Sequence, residues 1–439
     1  MLTAMNPTDV HQALKKHMLV DGLELVFDLK RSQGAYIYDS RNGRRFLDFF
    51  SFFATQPIGL NHPKMVDPAF REKMADVAIH NPSNSDVYTV EMAEFVDTFD
   101  RVGIPEELPH LFLVAGGSVA VENALKVAFD WKVRKNLERG RGEKGSLVLH
   151  FREAFHGRTG YSISMTNTAD PRKTMYFPKF NWPRIDNPKL RFPVGAHLDD
   201  VIAREKEAVR QIEKAVQDHP DEIAALIIEP IQAEGGDNHF RPEFLKKLRA
   251  LAFEHEFLYI VDEVQTGVGL TGKFWAYQHF GFTPDVLVFG KKAQVCGLLA
   301  GRRVDEVEKN VFRESTRINS TWGGNLVDMV RFGRYLEIIE EEKLVDRARQ
   351  VGNRLLAEIE KLQLENPGKI TNARGRGLMC AFDLKDGETR DRFKKLAFEN
   401  GMLILGCGHR SIRFRPTLSV GEGEVEQGMS ILGRVLSSL

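Results

Sequence analysis

The chain has 439 residues, 42% of them hydrophobic, enough for a large buried core and two or three units of ordinary domain size. Lysine plus arginine equals aspartate plus glutamate at 61 each, so the formal net charge is zero and no global field favours nucleic acid or an anionic membrane. Three scattered cysteines, Cys296, Cys380 and Cys407, exclude a disulfide framework, lack the CxxC spacing of a zinc site and fit a reducing cytoplasm.

The opening stretch MLTAMNPTDVHQALKKHMLVDG has no long apolar segment, and no run in the chain approaches the roughly 18 apolar residues of a membrane span, so the sequence reads as soluble and untargeted. Further along lie five short, continuously apolar runs: LFLV (111–114), SLVLHF (146–151), AALIIEP (224–230), FLYIVDE (257–263) and DVLVFG (285–290). Such runs suit strands covered on both faces. Helical patterns lie between them at 119–135, 199–217 and 241–256, while the Pro/Asn/Asp-rich stretch at 168–199 reads as an ordered excursion. Alternating strands and helices predict an α/β fold with a mostly parallel sheet and ligands at the carboxyl ends of its strands.

Chemistry is therefore expected in the residues just after each run. AGGSVAVENALK (115–126) offers Gly117 and Ser118 at a helix start, a site for an anion such as phosphate. REAFHGRTG (152–160) offers an aromatic, Phe155, an imidazole, His156, and a guanidinium, Arg158. Glu229 ends the third run, and Glu234 comes next in a Gly-rich loop. Asp262 closes an otherwise apolar strand, where an unpaired carboxylate is costly and calls for a cation.

The fifth run leads into GKKAQVCG, with Lys291 and Lys292 side by side. Such a pair is ordinarily a solvated loop. A lysine desolvated in a pocket, however, becomes an amine nucleophile toward an aldehyde. A phosphate cradle, a flat aromatic, a carboxylate at a strand end and such a lysine are together what pyridoxal 5'-phosphate requires, the carboxylate serving the ring nitrogen.

The motifs GGSVAVENALK, AFHGRTG, EPIQAEGG, VDEVQTGVGLTGKFWA, PDVLVFGK, STWGGN, RGRGLM and IRFRP occur in the order and approximate spacing of the class III aminotransferases, and the chain resembles that pyridoxal-phosphate family of fold type I over nearly its whole length. The resemblance implies a large domain with a mostly parallel central sheet at 60–330, and a smaller α+β domain formed by 1–59 and 331–439. It implies Lys291 as the lysine that bonds the cofactor, leaving Lys292 without a chemical role, on the reasoning that neighbours in an extended pair point to opposite faces. It further implies Asp262 at the pyridine nitrogen, Gln265 near the ring hydroxyl, Phe155 and His156 at the ring, and Gly117 and Ser118 at the phosphate. Thr321 matches a threonine that reaches the phosphate of a neighbouring subunit, implying a homodimer with shared active sites.

Leu270 in GLTG and the turn KKAQVCG depart from the commonest family wording. With NPSNSDVY (81–88), they resemble most closely the members that move the terminal amine of L-lysine to 2-oxoglutarate, giving 2-aminoadipate 6-semialdehyde and L-glutamate. Arg413 then matches the arginine that holds the carboxylate beside the reacting carbon, Glu234 the residue that pairs with it, and Arg158 a holder of the distal carboxylate. Another ω-aminotransferase of the family, for ornithine, 4-aminobutyrate or a diamine, is the alternative.

Overall fold

A computed structural model describes residues 5–439. All five apolar runs are strands of one seven-stranded sheet. In chain order its strands are β1 (His110–Val114), β2 (Leu147–Phe151), β3 (Arg184–Ile185), β4 (Ile223–Ile228), β5 (Leu258–Asp262), β6 (Val286–Phe289) and β7 (Cys296–Ala300), arranged β1-β7-β6-β5-β4-β2-β3. The pairings from β6 through β5, β4 and β2 to β3 are parallel. Only β7 runs antiparallel, to β6 on one side and β1 on the other.

The uninterrupted apolarity of these strands reflects cover on both faces. Ala225, Ile227, Leu258, Ile260, Val286 and Val288 pack with the helix Gly117–Glu138 on one side. Leu226, Ile228, Tyr259, Val261, Leu287 and Phe289 alternate with them into the core on the other. With a side-chain period of two, both parities must be apolar when neither face meets water.

The expected helices are present at Gly117–Glu138, Leu198–Asp218 and Pro242–Glu254. The stretch 168–199 carries the 3-10 turns Pro171–Lys173 and Val194–His197 besides β3.

Strand β7 begins within the stretch GKKAQVCG, just past the lysine pair. The chain reverses there because Lys291 (φ 51°) and Gln294 (φ 60°) both adopt left-handed backbone around the 3-10 turn Lys291–Ala293. The lysine pair is therefore not extended, and turn geometry rather than strand alternation sets the two side chains apart.

Strands from both ends of the chain meet elsewhere. Tyr36–Tyr38 pairs with Arg45–Asp48, which pairs in parallel with Met402–Leu403. A four-stranded antiparallel sheet holds Thr371–Arg376, Met379–Asp383, Ser411–Phe414 and Leu405–Cys407, in that order. Between these regions, Ser51–Ala54 form a turn with four successive positive φ values, 39°, 52°, 60° and 66°. L-residues pay roughly 1–2 kcal/mol each for that hand. The Asp48 carboxylate accepts from the Phe50 and Ser51 amides, and Ser51 Oγ donates to the Arg415 carbonyl, holding the turn from both sides.

Candidate active site

The carboxyl ends of β1, β2, β4, β5 and β6 surround a cavity of about 380 Å³, lined by Gly117, Ser118, Phe155, His156, Arg158, Glu229, Glu234, Asp262, Val264, Gln265 and Lys291 among others. Parallel strands deliver these residues to one edge although the chain separates them by more than 170 positions. At one wall the helix Gly117–Glu138 begins, its first amides without helical partners and its dipole favouring an anion. A Cβ on Gly117 would sit 3.1 Å from Val264 Cγ1, and one on Gly157 (φ 118°) only 2.1 Å from Ser118 Oγ, so both glycines keep this corner open. Ser118 Oγ is 2.8 Å from Thr159 Oγ1 and 2.6 Å from Ser162 Oγ.

On the floor, Asp262 Oδ2 lies 2.8 Å from His156 Nδ1, and Asp262 Oδ1 accepts from the Val264 amide at 3.0 Å. The carboxylate that the sequence left in need of a partner is thus oriented by a buried imidazole whose other nitrogen has no protein partner. Glu229, noted in sequence only as the end of a run, also lines the cavity. It accepts from the Phe155 amide at 2.9 Å and the Ala233 amide at 3.0 Å, tying the loops after β2 and β4 together. Burial pushes its carboxyl up to about 7, against His156 and those amides. A carboxylate closing an apolar run was the available signal.

Lys291 and Lys292 part completely. Lys291 faces the cavity, and burial, reinforced by the positive charge of Arg413, lowers its pKa against the pull of Asp262, Cys296 and Glu234. Lys292 is buried rather than solvated. Its Nζ donates to the Ala54 carbonyl at 3.1 Å, at the end of the left-handed turn, and burial lowers its pKa well below the ordinary lysine value.

Arg413, on the strand Ser411–Phe414, is buried, with Nη2 2.5 Å from Glu234 Oε2 and Nη1 donating to Gln265 Oε1 at 3.2 Å. Gln265 Oε1 also accepts from Arg415 Nε at 3.1 Å. Burial alone would raise the Glu234 carboxyl, yet Arg413 and Lys173 together hold it below its ordinary value. Lys173, from the excursion, had no mark in the sequence because it lies 61 residues from its partner. Arg158 is exposed at the cavity mouth. Thr321 is exposed and does not line this cavity; its carbonyl accepts from Ser83 Oγ at 2.5 Å.

The chain matches the family model described as aminotransferase class-III over residues 19–436. It is a class-III aminotransferase. This aminotransferase is 50% identical over 432 residues, 98% of its length and 96% of the relative's, to the L-lysine-epsilon aminotransferase of Amycolatopsis lactamdurans. Identity to the L-lysine-epsilon aminotransferase of Streptomyces clavuligerus is 48% over 438 residues, 99% of this chain and 95% of that one. Its structure superposes on lysine aminotransferase from M. tuberculosis with a TM-score of 0.97, at 49% identity, covering 99% of this chain and all of the other. No described helix is long and apolar enough to cross a membrane.

Proposed function

We propose that this aminotransferase moves the terminal amino group of L-lysine to 2-oxoglutarate through pyridoxal 5'-phosphate, giving 2-aminoadipate 6-semialdehyde and L-glutamate. The observation that carries the substrate is the 50% identity, over nearly the whole chain, to enzymes named for lysine. The cavity suits the cofactor: free helix amides and two glycine-opened positions offer a phosphate cradle, Phe155 a flat wall, Asp262 an oriented carboxylate and Lys291 a facing amine. When bound, the cofactor draws electrons from the carbon that carries the amine.

In this reading Lys291 Nζ holds the cofactor at rest, then serves as the base that moves the proton from the substrate's amine-bearing carbon. Its lowered pKa makes the neutral amine accessible. Asp262 would hold positive charge on the ring nitrogen, Gln265 would serve the ring hydroxyl, and Gly117 and Ser118 would hold the phosphate. Glu234 neutralises Arg413 while lysine, with an apolar methylene at that position, is bound, and moves aside when 2-oxoglutarate brings a carboxylate. Arg158 takes the distal carboxylate of either substrate.

A second copy completes the site in this reading. Val87, Tyr88, Val90 and Trp322 are exposed near Thr321, since Asn84 and Ser85 bond the backbone of Ser320, Trp322 and Gly324. An apolar patch of this kind suits a homodimer in which Thr321 reaches the partner's phosphate site. We place the enzyme in the cytoplasm, with residues 60–330 as its cofactor-holding unit.

Incubating the enzyme with 2-oxoglutarate and lysine, ornithine or 4-aminobutyrate in parallel, with product identification, tests the assignment. Formation of 2-aminoadipate 6-semialdehyde from lysine, far above turnover of the others, is the expected result. Preference for ornithine or 4-aminobutyrate overturns the substrate and leaves the class standing.

A further inference from the structure

The Glu234 carboxylate is shared between two cations. One oxygen meets Arg413 Nη2 at 2.5 Å, and the other meets Lys173 Nζ. The backbone around it is pinned: the Glu234 carbonyl accepts from the Gly408 amide at 2.9 Å, and the Ala233 carbonyl accepts from the Asp237 amide at 3.1 Å. A change of partner at Glu234 must therefore be a side-chain rotation and not a loop movement.

Space for that rotation exists on one side. A second cavity, of about 310 Å³, is bounded by Thr168, Lys173, Arg390, Cys407 and His409 among others. Glu234 is the one residue among those described that lines both this cavity and the active-site cavity. Lys173 stands at the boundary, in the turn Pro171–Lys173, with its Nζ 5.9 Å from the centre of the Phe155 ring. Its neighbour Arg172 is taken up by Asp170, at 2.8 Å, which leaves Lys173 as the turn's cation for Glu234.

We propose that Lys173 is a positioning residue for substrate choice: it receives the Glu234 carboxylate as that group leaves Arg413, so that Arg413 is freed for a dicarboxylic substrate without stranding a buried charge. The physical need is plain. Parting Arg413 from Glu234 without a substitute leaves a buried guanidinium uncompensated and a carboxylate between two cavities without a cation. A substrate carboxylate compensates Arg413, and Lys173 compensates Glu234. The inference rests on the switching of Glu234 proposed above and adds the group that makes it reversible.

The test measures the lysine and glutamate half-reactions separately by stopped flow, for the holoenzyme carrying Lys173→Met, Lys173→Arg, Glu234→Ala, or Lys173→Met with Glu234→Ala. Lys173→Met is expected to weaken the glutamate half-reaction about tenfold, the worth of one charged hydrogen bond, and to spare the lysine half-reaction. Lys173→Arg restores it. In the Glu234→Ala background, replacing Lys173 has no further effect, because no carboxylate is left to receive. Should Glu234→Ala slow both half-reactions equally, the switch fails and the role of Lys173 with it. Should Glu234→Ala impair lysine selectively while Lys173→Met slows both half-reactions alike, or still weakens glutamate in the Glu234→Ala background, the switch stands and the role of Lys173 is overturned. The last outcome would mark Lys173 as a direct holder of substrate carboxylate.

Discussion

Lys291 and Lys292 are chain neighbours with opposite tasks, and the division comes from their surroundings. Lys291 has space and charge in front of it; Lys292 has a carbonyl, that of Ala54, at the end of a turn whose four left-handed residues are intrinsically unfavourable. Replacing Lys291 by Met is expected to abolish transamination and the covalent attachment of cofactor, read by borohydride reduction and peptide mapping. Lys292→Met should keep that attachment and lower unfolding free energy by about 1–3 kcal/mol, the cost of leaving a buried carbonyl without a donor. A modified Lys292 in the peptide map would reverse the assignment. For Asp262, substitution by Asn removes the charge while keeping the shape, and disturbs the bond to His156 Nδ1. Turnover is expected to fall about 100-fold or more with both substrates, as when one preorganised electrostatic group is lost. Near wild-type turnover in that variant would end its proposed part in holding charge on the ring nitrogen.

Among the elements that shape the cavity, the loop after β2 meets a strict steric demand. Gly157 carries a φ of 118°, and an added Cβ would lie 2.6 Å from Ser118 Cβ as well as 2.1 Å from its Oγ. Gly157→Ala must therefore displace either the start of the helix Gly117–Glu138 or the loop bearing Phe155 and His156. Cofactor affinity, measured by equilibrium titration of the apoenzyme, is expected to drop at least about tenfold, while the fold, held by the sheet core, persists. An unchanged affinity would mean that the cofactor does not depend on this corner.

For the molecule as a whole, buried carboxyls shape stability against pH. Glu263, just after β5, accepts from the Ala276 and Tyr277 amides and from Thr266 Oγ1, and burial pushes its carboxyl from an ordinary 4.5 to about 7. The folded state thus binds this proton more tightly than the unfolded chain. The resulting stability is fully present below about pH 4.5 and is lost as pH rises through about 7, a swing of up to roughly 3 kcal/mol for a shift of this size. Glu263→Gln, neutral at every pH like the protonated carboxyl, is expected to gain melting temperature relative to wild type as pH rises from about 4.5 to 8. A variant that loses ground to wild type over that range would show the opposite shift. At the same scale, light scattering is expected to show a dimer, and Thr321→Val to weaken cofactor binding without altering the cavity of its own chain.

What the sequence by itself determined was set by local pattern: apolar runs and amphipathic stretches between them specify a two-sided parallel sheet, and a parallel sheet puts the residues after each run on one edge. Gly117, Phe155 and Asp262 were legible for that reason, as was the lysine pair, whose first member only the family resemblance singled out. Tertiary structure alone decided the rest. Strand β7 comes after a reversal made by left-handed residues, for which CGLLA carries no mark, and Lys292 acquires its burial from a turn 238 residues away. Lys173 and Glu234 meet because an excursion without a hydrophobic period folds back across the Gly-rich loop. Periodicity records which face a residue shows, whereas pairing between distant polar side chains depends on where whole elements come to rest.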